Sequence, residues 1–180
     1  MIEDKLLLWQ FKRGSSKALA RIYDKYERYL MTVATGLLND VHSAEDILQD
    51  FFVSFAGSAE KIRLDGNFKA YLATCVANLA KNRLKSRQYA GVELEQDAQI
   101  ESMAGTPAEL AIRQEQNTIL NQALAQLPYE QREVVILHVH GGMKFTQIAR
   151  LRDTSVNTIQ SRYRYGLDKL RTLVDSEVIL

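Results

Sequence analysis

Apolar side chains recur along most of this chain at three- and four-residue steps, the spacing that gathers them on one side of a 3.6-residue helix. The first long run is Leu19, Ile22, Tyr23, Tyr26, Leu30, Val33 and Leu37. Ser15 or Ser16 can cap its start, and Asn39-Asp40 ends it. A second helix carries Ile47, Leu48, Phe51, Phe52 and Phe55. Ser43-Ala-Glu-Asp46 at its start reads as a capping box with Asp in place of the commoner Glu. A polar loop from Gly57 to Asn67 closes on Asp65-Gly66-Asn67, which is turn chemistry. The third helix then places Phe68, Tyr71, Leu72, Cys75, Val76 and Leu79 on one face, and residues 5–11 predict a short helix packed on these three.

From residue 88 to 106 the periodicity fails. The stretch is acidic and runs into Pro107, which suits a helix first turn. The pattern then returns, with a helix over 108–126 broken by Leu127-Pro128, a helix over 129–140, and a stop at Gly141-Gly142. A short helix from Phe145 to Leu151, a turn at Arg152-Asp153-Thr154 and a last helix capped by Ser155 and running from Val156 to about Val174 follow. Short helix, three-residue turn and capped longer helix make the helix-turn-helix layout. The expected fold is all-α: two small helical domains, 1–88 and 108–180, joined by a flexible acidic linker over 89–107. Such a linker can stretch to roughly 60 Å. That exceeds one DNA turn of about 34 Å, so the flanking domains can touch separate sites on one duplex.

Composition narrows the class. The chain has 180 residues, 46% apolar and 25% charged, the mixture of a soluble globular protein. Its single cysteine, Cys75, excludes a disulfide framework and a cysteine-based zinc site. No run approaches a membrane span and the start lacks a signal-peptide layout, so no membrane insertion and a cytoplasmic setting are expected. The formal net charge of +1 conceals alternation. Residues 40–60 sum to −5 and residues 61–87 to +6, while 88–118 sum to −5 and 144–171 to +5. Two basic blocks with acidic ones between them suggest two surfaces for a polyanion. Charge alone does not separate that reading from chance clustering on solvated helices.

The candidate chemistry lies on two helices. On the last, Val156, Ile159, Tyr163, Leu167 and Leu170 should pack inward. Asn157, Thr158, Gln160, Ser161, Arg162, Arg164 and Tyr165 are left outside, a set of amides, hydroxyls and guanidinium groups suited to base edges and phosphates in a major groove. On the third, Lys69, Asn78, Lys81, Asn82 and Lys85 face outward. Catalysis finds no support. His138 and His140 are two residues apart on a helix, about 200° around it, and cannot converge on one metal. Cys75 sits on an apolar stripe, and neither a glycine-rich phosphate loop nor a carboxylate pair is present. No catalytic residue, metal or cofactor is expected.

AEDILQDFF (44–52), FKAYLATCVANLAKNRLKSR (68–87), LPYEQREVVILHVHGGMKFTQIA (127–149) and SVNTIQSRYRYGLDKLR (155–171) together resemble bacterial sigma factors. The similarity is to the small extracytoplasmic-function group of the sigma-70 family, and it covers about residues 10–87 and 108–173 in the right order. The resemblance implies a sigma region 2 bundle and a sigma region 4 helix-turn-helix. It implies that Asp46, Leu48, Gln49 and Asp50 bind the clamp helices of the largest subunit of RNA polymerase core, with a further contact to its flap region. The loop from Ala59 to Asn67 would capture an unstacked base of the −10 promoter element. Lys61, Arg63, Asn67, Asn78, Lys81, Asn82 and Lys85 would line the opened strand. Asn157, Thr158, Gln160, Ser161, Arg162 and Arg164 would read the −35 duplex. Members of the group are commonly held by an anti-sigma factor, which the resemblance alone supplies as a partner.

This sequence departs from the family pattern in two places. Ala77 stands before Asn78 where an arginine is usual, removing a positive charge from the melting surface. The turn reads Arg152-Asp153-Thr154 in place of Leu-Gly-apolar, and Asp tolerates a left-handed backbone less well than Gly. A stand-alone helix-turn-helix regulator explains the last helix equally well, but not the acidic-apolar helix followed directly by a basic one.

Overall fold

The computed structural model describes residues 2–62, 67–90 and 117–178. The N-terminal unit comprises α1 (Ile2–Lys12), α2 (Ser16–Leu38), α3 (Val41–Gly57), a 3-10 turn (Ala59–Lys61) and α4 (Phe68–Ala90). The C-terminal unit comprises α5 (117–125), α6 (Tyr129–Val139), α7 (Phe145–Leu151) and α8 (Val156–Val178). The described residues are all helix, turn and loop. The expected linker contributes its first two residues to the end of α4; residues 91–107, and 108–116 of the helix expected next, lie outside the described residues.

α2 is the axis of the N-terminal unit, with α1, α3 and α4 packed around it. Its N-cap is Ser15, whose hydroxyl accepts from the Ala18 N–H, and it ends at Asn39 in a left-handed conformation (φ 55°). Ile22, Leu30, Val33 and Leu37 are fully enclosed. Aromatic rings close the middle layer: Phe11 stacks on Phe55 at 4.9 Å and Tyr26 meets Phe68 edge-on at 5.5 Å. α1 starts and ends slightly beyond the span the sequence predicts, and it is tied to α2 where Lys25 bridges Glu3 and Asp4.

The start of α3 corrects the capping box. The cap is Asp40, whose side chain accepts from the Ser43 N–H at 3.3 Å, so Ser43 already lies inside the helix. Asp46 instead pairs with Arg83 of α4 at 2.8 Å. Arg87 reaches Asp40 at 2.9 Å and also bonds the Ser43 hydroxyl. Part of the acidic block at 40–60 and part of the basic block at 61–87 therefore neutralise each other across the α3–α4 seam. Burial disfavours the charge on Asp40, but the Ser43 hydrogen bonds and the Arg87 guanidinium outweigh it and hold the carboxyl below its ordinary value near 3.8. A depressed folded value means this stability is present above the ordinary carboxylate range and is lost as pH falls through the folded value. Asp40→Asn keeps the cap and deletes the ion pair. Urea unfolding should show the variant weaker than the parent at pH 6, with the gap closing at pH 3; an equal gap at both would show that the charge contributes nothing.

α4 is buried on more sides than one apolar stripe predicts. Besides Phe68, Leu72 and Val76, its alanines Ala70, Ala73, Ala77 and Ala80 are all buried. Small residues let other helices approach closely, and the C-terminal unit takes one of those approaches. Thr74 meets the Met143 sulfur at 4.0 Å, Tyr29 of α2 donates to the Gly141 carbonyl at 3.0 Å, and α6 packs on α2. The buried residues of both units form one continuous cluster.

In the C-terminal unit α6 is the centre, packed against α7 and α8. α7 spans the residues the sequence predicts, and the Ser155 hydroxyl accepts from the Thr158 N–H at 3.0 Å as the expected cap of α8. Asp153 occupies the turn with φ 48°, so Asp does adopt the left-handed position. The inward stripe of α8 needs one correction: Leu167 is exposed, and Gly166 takes its place against Val135 and Gln131. α8 also continues past the expected end, to Val178.

Candidate docking and nucleic-acid surfaces

Three surfaces emerge from this packing. The first is a groove of about 600 Å³ between α2 and α3. Tyr23, Glu27 and Met31 form its α2 wall; Glu45, Leu48, Gln49, Phe52 and Val53 form its α3 wall. The Tyr23 ring packs at a tilt against Phe52 at 4.7 Å and its hydroxyl donates to Glu27 at 2.6 Å, which fixes the rim. Val53 is 71% exposed at its edge. A mostly apolar trough with acidic rims fits an amphipathic partner helix carrying basic residues.

The four docking candidates divide around this groove. Leu48 and Gln49 line it, Leu48 as a buried floor residue. Asp46 is turned toward Arg83, and Asp50 is exposed on the flank, outside the lining. Sequence reasoning missed Tyr23, Glu27, Met31 and Val53. Periodicity places Tyr23 on the core stripe, and only its pairing with Phe52 of α3 reveals the second wall.

The second surface is the outer face of α4. Asn78, Lys81, Asn82 and Lys85 follow the i, i+3, i+4, i+7 spacing and so share one face, with Asn82 and Lys85 exposed and Lys81 half-buried. Three further basic residues of the block are used in contacts within the unit. Arg83 and Arg87 pair with α3, and Lys69 sits over the Tyr29 ring at 4.1 Å. Asn67 is exposed and its side chain accepts from the Lys69 N–H at 3.0 Å. Lys61 ends the 3-10 turn; Arg63 lies outside the described residues.

Asn78 is also where the two units meet. Arg152, from the turn between α7 and α8, donates to Asn78 Oδ1 at 3.0 Å and lies 3.5 Å from the Ala77 carbonyl. The same guanidinium grips Glu133 of α6 with two bonds, one of them from Nε at 2.8 Å. The guanidinium beside Asn78 thus comes from the other unit, with its charge matched by Glu133.

The third surface is the outer face of α8. Asn157, Gln160, Ser161 and Arg164 share a face by the same spacing; Asn157, Gln160 and Arg164 are exposed. Arg164 lies over the Tyr165 ring at 5.1 Å. The two remaining candidates are drawn aside: Thr158 shares a hydrogen bond with Ser155 at 2.8 Å, and Arg162 pairs with Glu130. Among the described residues no group of three or more His, Cys, Asp and Glu could hold a metal ion. His138 is a structural ring, stacked on Phe145 at 4.2 Å with Nδ1 2.8 Å from the Met143 carbonyl. Burial pushes the Cys75 thiol up from its ordinary value, as a core position would. No helix among the described residues is long and apolar enough to cross a membrane.

Comparison with known proteins places these surfaces in a family context. Residues 22–89 match the family described as Sigma-70 region 2, and residues 118–170 match Sigma-70, region 4. The chain is 25% identical to the ECF RNA polymerase sigma factor SigW of Bacillus subtilis, over 90% of this chain and 91% of that one. It is 27% identical to the RNA polymerase sigma factor CarQ of Myxococcus xanthus, over 92% and 94%. Two solved structures share the fold with a TM-score of 0.68 and 22% identity. One is CnrH in complex with the cytosolic domain of CnrY, covering 97% of this chain and 98% of the other. The second is the sigma factor RpoE with the anti-sigma factor NepR from Bartonella quintana, covering 86% and 97%.

Proposed function

The chain belongs to the sigma-70 family as an extracytoplasmic-function sigma factor that directs RNA polymerase to promoters, and on that premise we propose how its three surfaces divide the work. The α2–α3 groove takes the clamp helices of the polymerase largest subunit. The apolar floor at Leu48 and Phe52 supplies the buried area and the rim of Glu27 and Glu45 supplies orientation. The outer face of α4 holds the unpaired −10 strand. Its lysines meet the phosphates and its two asparagine amides reach bases or sugars. α8 enters the −35 major groove, where Asn157, Gln160, Ser161 and Arg164 approach base edges and phosphates.

The observation that supports this division most directly is the pair of single-face ladders on α4 and α8, one on each unit, away from the apolar groove. Promoter opening then asks no bond chemistry of this chain: binding energy for the displaced strand offsets the unpairing cost. The factor works in the cytoplasm, with core polymerase and the chromosome. An anti-sigma factor, of the kind seen on the Bartonella relative, would act by covering one of these surfaces.

The test is run-off transcription with purified bacterial core polymerase on a library of promoter fragments. Initiation from discrete start sites is expected. Binding to duplex DNA alone, with no capture of core, would make the chain a stand-alone regulator instead. Within that assay Arg164→Ala should weaken −35 recognition by roughly 1–3 kcal/mol and relax specificity there. Unchanged specificity and an unchanged salt slope would remove Arg164 from the interface.

A further inference from the structure

We propose that the outward face of α1, centred on Trp9, is a seat for unpaired DNA, taking the stretch of displaced promoter strand that continues past the −10 element. The inference rests on the reading that gives the opened strand to this unit, and it adds a surface to the face of α4.

Three observations carry it. First, Trp9 is the one tryptophan of the chain and stands 53% exposed, although a residue of its size is ordinarily drawn into a core. Leu6 on the same side is 51% exposed. The core stripe of α1 is complete without them, since Leu7, Leu8 and Phe11 are all buried.

Second, the ring is surrounded by cations that the fold leaves unmatched. At about 100° per residue, Lys5, Leu6, Trp9, Lys12 and Arg13 fall within about 120° of the circumference of α1, and all five are exposed. The acids of the helix point elsewhere: Glu3 pairs with Lys25 and Arg21, and Asp4 meets Lys25 and the Tyr26 hydroxyl. Lys5, Lys12 and Arg13 form no ion pair among the described residues, and the Arg13 guanidinium lies 4.4 Å from the indole centroid. A base that displaces this guanidinium takes the ring face and leaves the cation to a phosphate. Two apolar side chains on one helix are too little area for a docked helix or a bilayer, because the larger apolar stripe of α1 is committed to the core. One indole among three cations suits a flexible polyanion with flat bases.

Third, α1 lies where an opened strand would pass. Phe11 stacks on Phe55 at 4.9 Å, near the end of α3, and α1 touches the 3-10 turn (Ala59–Lys61) that follows. Trp9, Lys12 and Arg13 are all within two residues of Phe11. The ring therefore sits at the same end of the bundle as the turn that leads toward α4.

The lone tryptophan makes the site its own reporter. Titrating the full chain with a 20-nucleotide single-stranded DNA of random sequence should quench Trp9 fluorescence, and a duplex of the same length should quench it far less. In the complex with core polymerase, Trp9→Ala should weaken binding of a fluorescein-labelled fork-junction promoter by about tenfold, and Trp9→Phe by less. Cutting the unpaired strand at the downstream edge of the −10 element should remove the difference between Trp9→Ala and the parent. No quenching by single-stranded DNA, or a Trp9→Ala loss that persists on the cut strand, overturns the proposal. Quenching by phosphatidylglycerol vesicles with none by DNA makes the face a membrane contact, and also overturns it. If Lys81→Ala with Lys85→Ala leaves fork-junction binding at the parental level while single-stranded DNA still quenches Trp9, the assignment of α4 has failed and the seat on α1 stands.

Discussion

Glu133→Ala is expected to destabilise the C-terminal unit by about 3–5 kcal/mol, the largest loss from any single truncation considered for this chain. The carboxylate sits at the centre of a dry polar knot. Oε1 accepts from the Tyr129 hydroxyl at 2.7 Å, and both oxygens accept from Arg152. Taking the carboxylate away leaves a guanidinium buried without its counter-charge and a tyrosine hydroxyl without its acceptor, and both costs fall on the folded state. Geometry adds to the loss. The pair bolts α6 to the turn of the helix-turn-helix, so the angle between α7 and α8 depends on it. Urea unfolding should show a lower midpoint with an unchanged slope. The double replacement Glu133→Leu with Arg152→Met removes both charges and should recover most of the stability, as apolar substitutes for buried ion pairs do. A loss below about 1 kcal/mol in the single variant would mean that water reaches the pair.

That knot was invisible in the sequence, for a physical reason. Hydrophobic periodicity reports which positions face an apolar core, and it is silent about a charged residue that faces inward with a partner. Arg152 is legible only as an unusual turn residue, and nothing local singles out Glu133. Their separation of 19 residues along the chain carries no pattern. Local rules served well where a local interaction decides. Ser15 and Ser155 cap as their residue type dictates, Asn39 ends α2 in the left-handed region, and α7 begins and ends where its punctuation places it.

The misses come from neighbours that sequence spacing does not name. Asp40 displaced Ser43 as the cap because Arg87, 47 residues away, favours a carboxylate there. Leu167 faces solvent because α8 approaches α6 closely enough at Val135 to require Gly166 at the contact. The alanines of α4 read as filler, yet all four are buried, on a helix packed against α2 and α3. The same limit applies to the candidate surfaces. Each ladder of i, i+3, i+4, i+7 residues was readable from one helix, whereas the docking groove needs two helices and showed only its α3 half.

Core polymerase binding should accordingly fail more completely in Val53→Glu than in Asp50→Lys. Val53 is largely exposed and lines the groove, so a carboxylate there leaves the fold within about 0.5 kcal/mol while placing an unpaired charge against the apolar face of the partner. Residues at the centre of such a contact commonly cost 2 kcal/mol or more, about thirtyfold in affinity. Asp50 is exposed on the flank of α3, where reversing a charge should chiefly slow association, by several-fold at low salt and less at high salt. Titrating labelled core polymerase with each variant, at two salt concentrations, separates the two effects. Near-parental affinity in Val53→Glu would take the groove out of the interface. A larger and salt-insensitive loss in Asp50→Lys would move the docking surface to the acidic flank, where Asp50 and Asp46 stand one turn apart, and would give the Arg83 pairing of Asp46 a part in partner recognition as well as in holding α3 to α4.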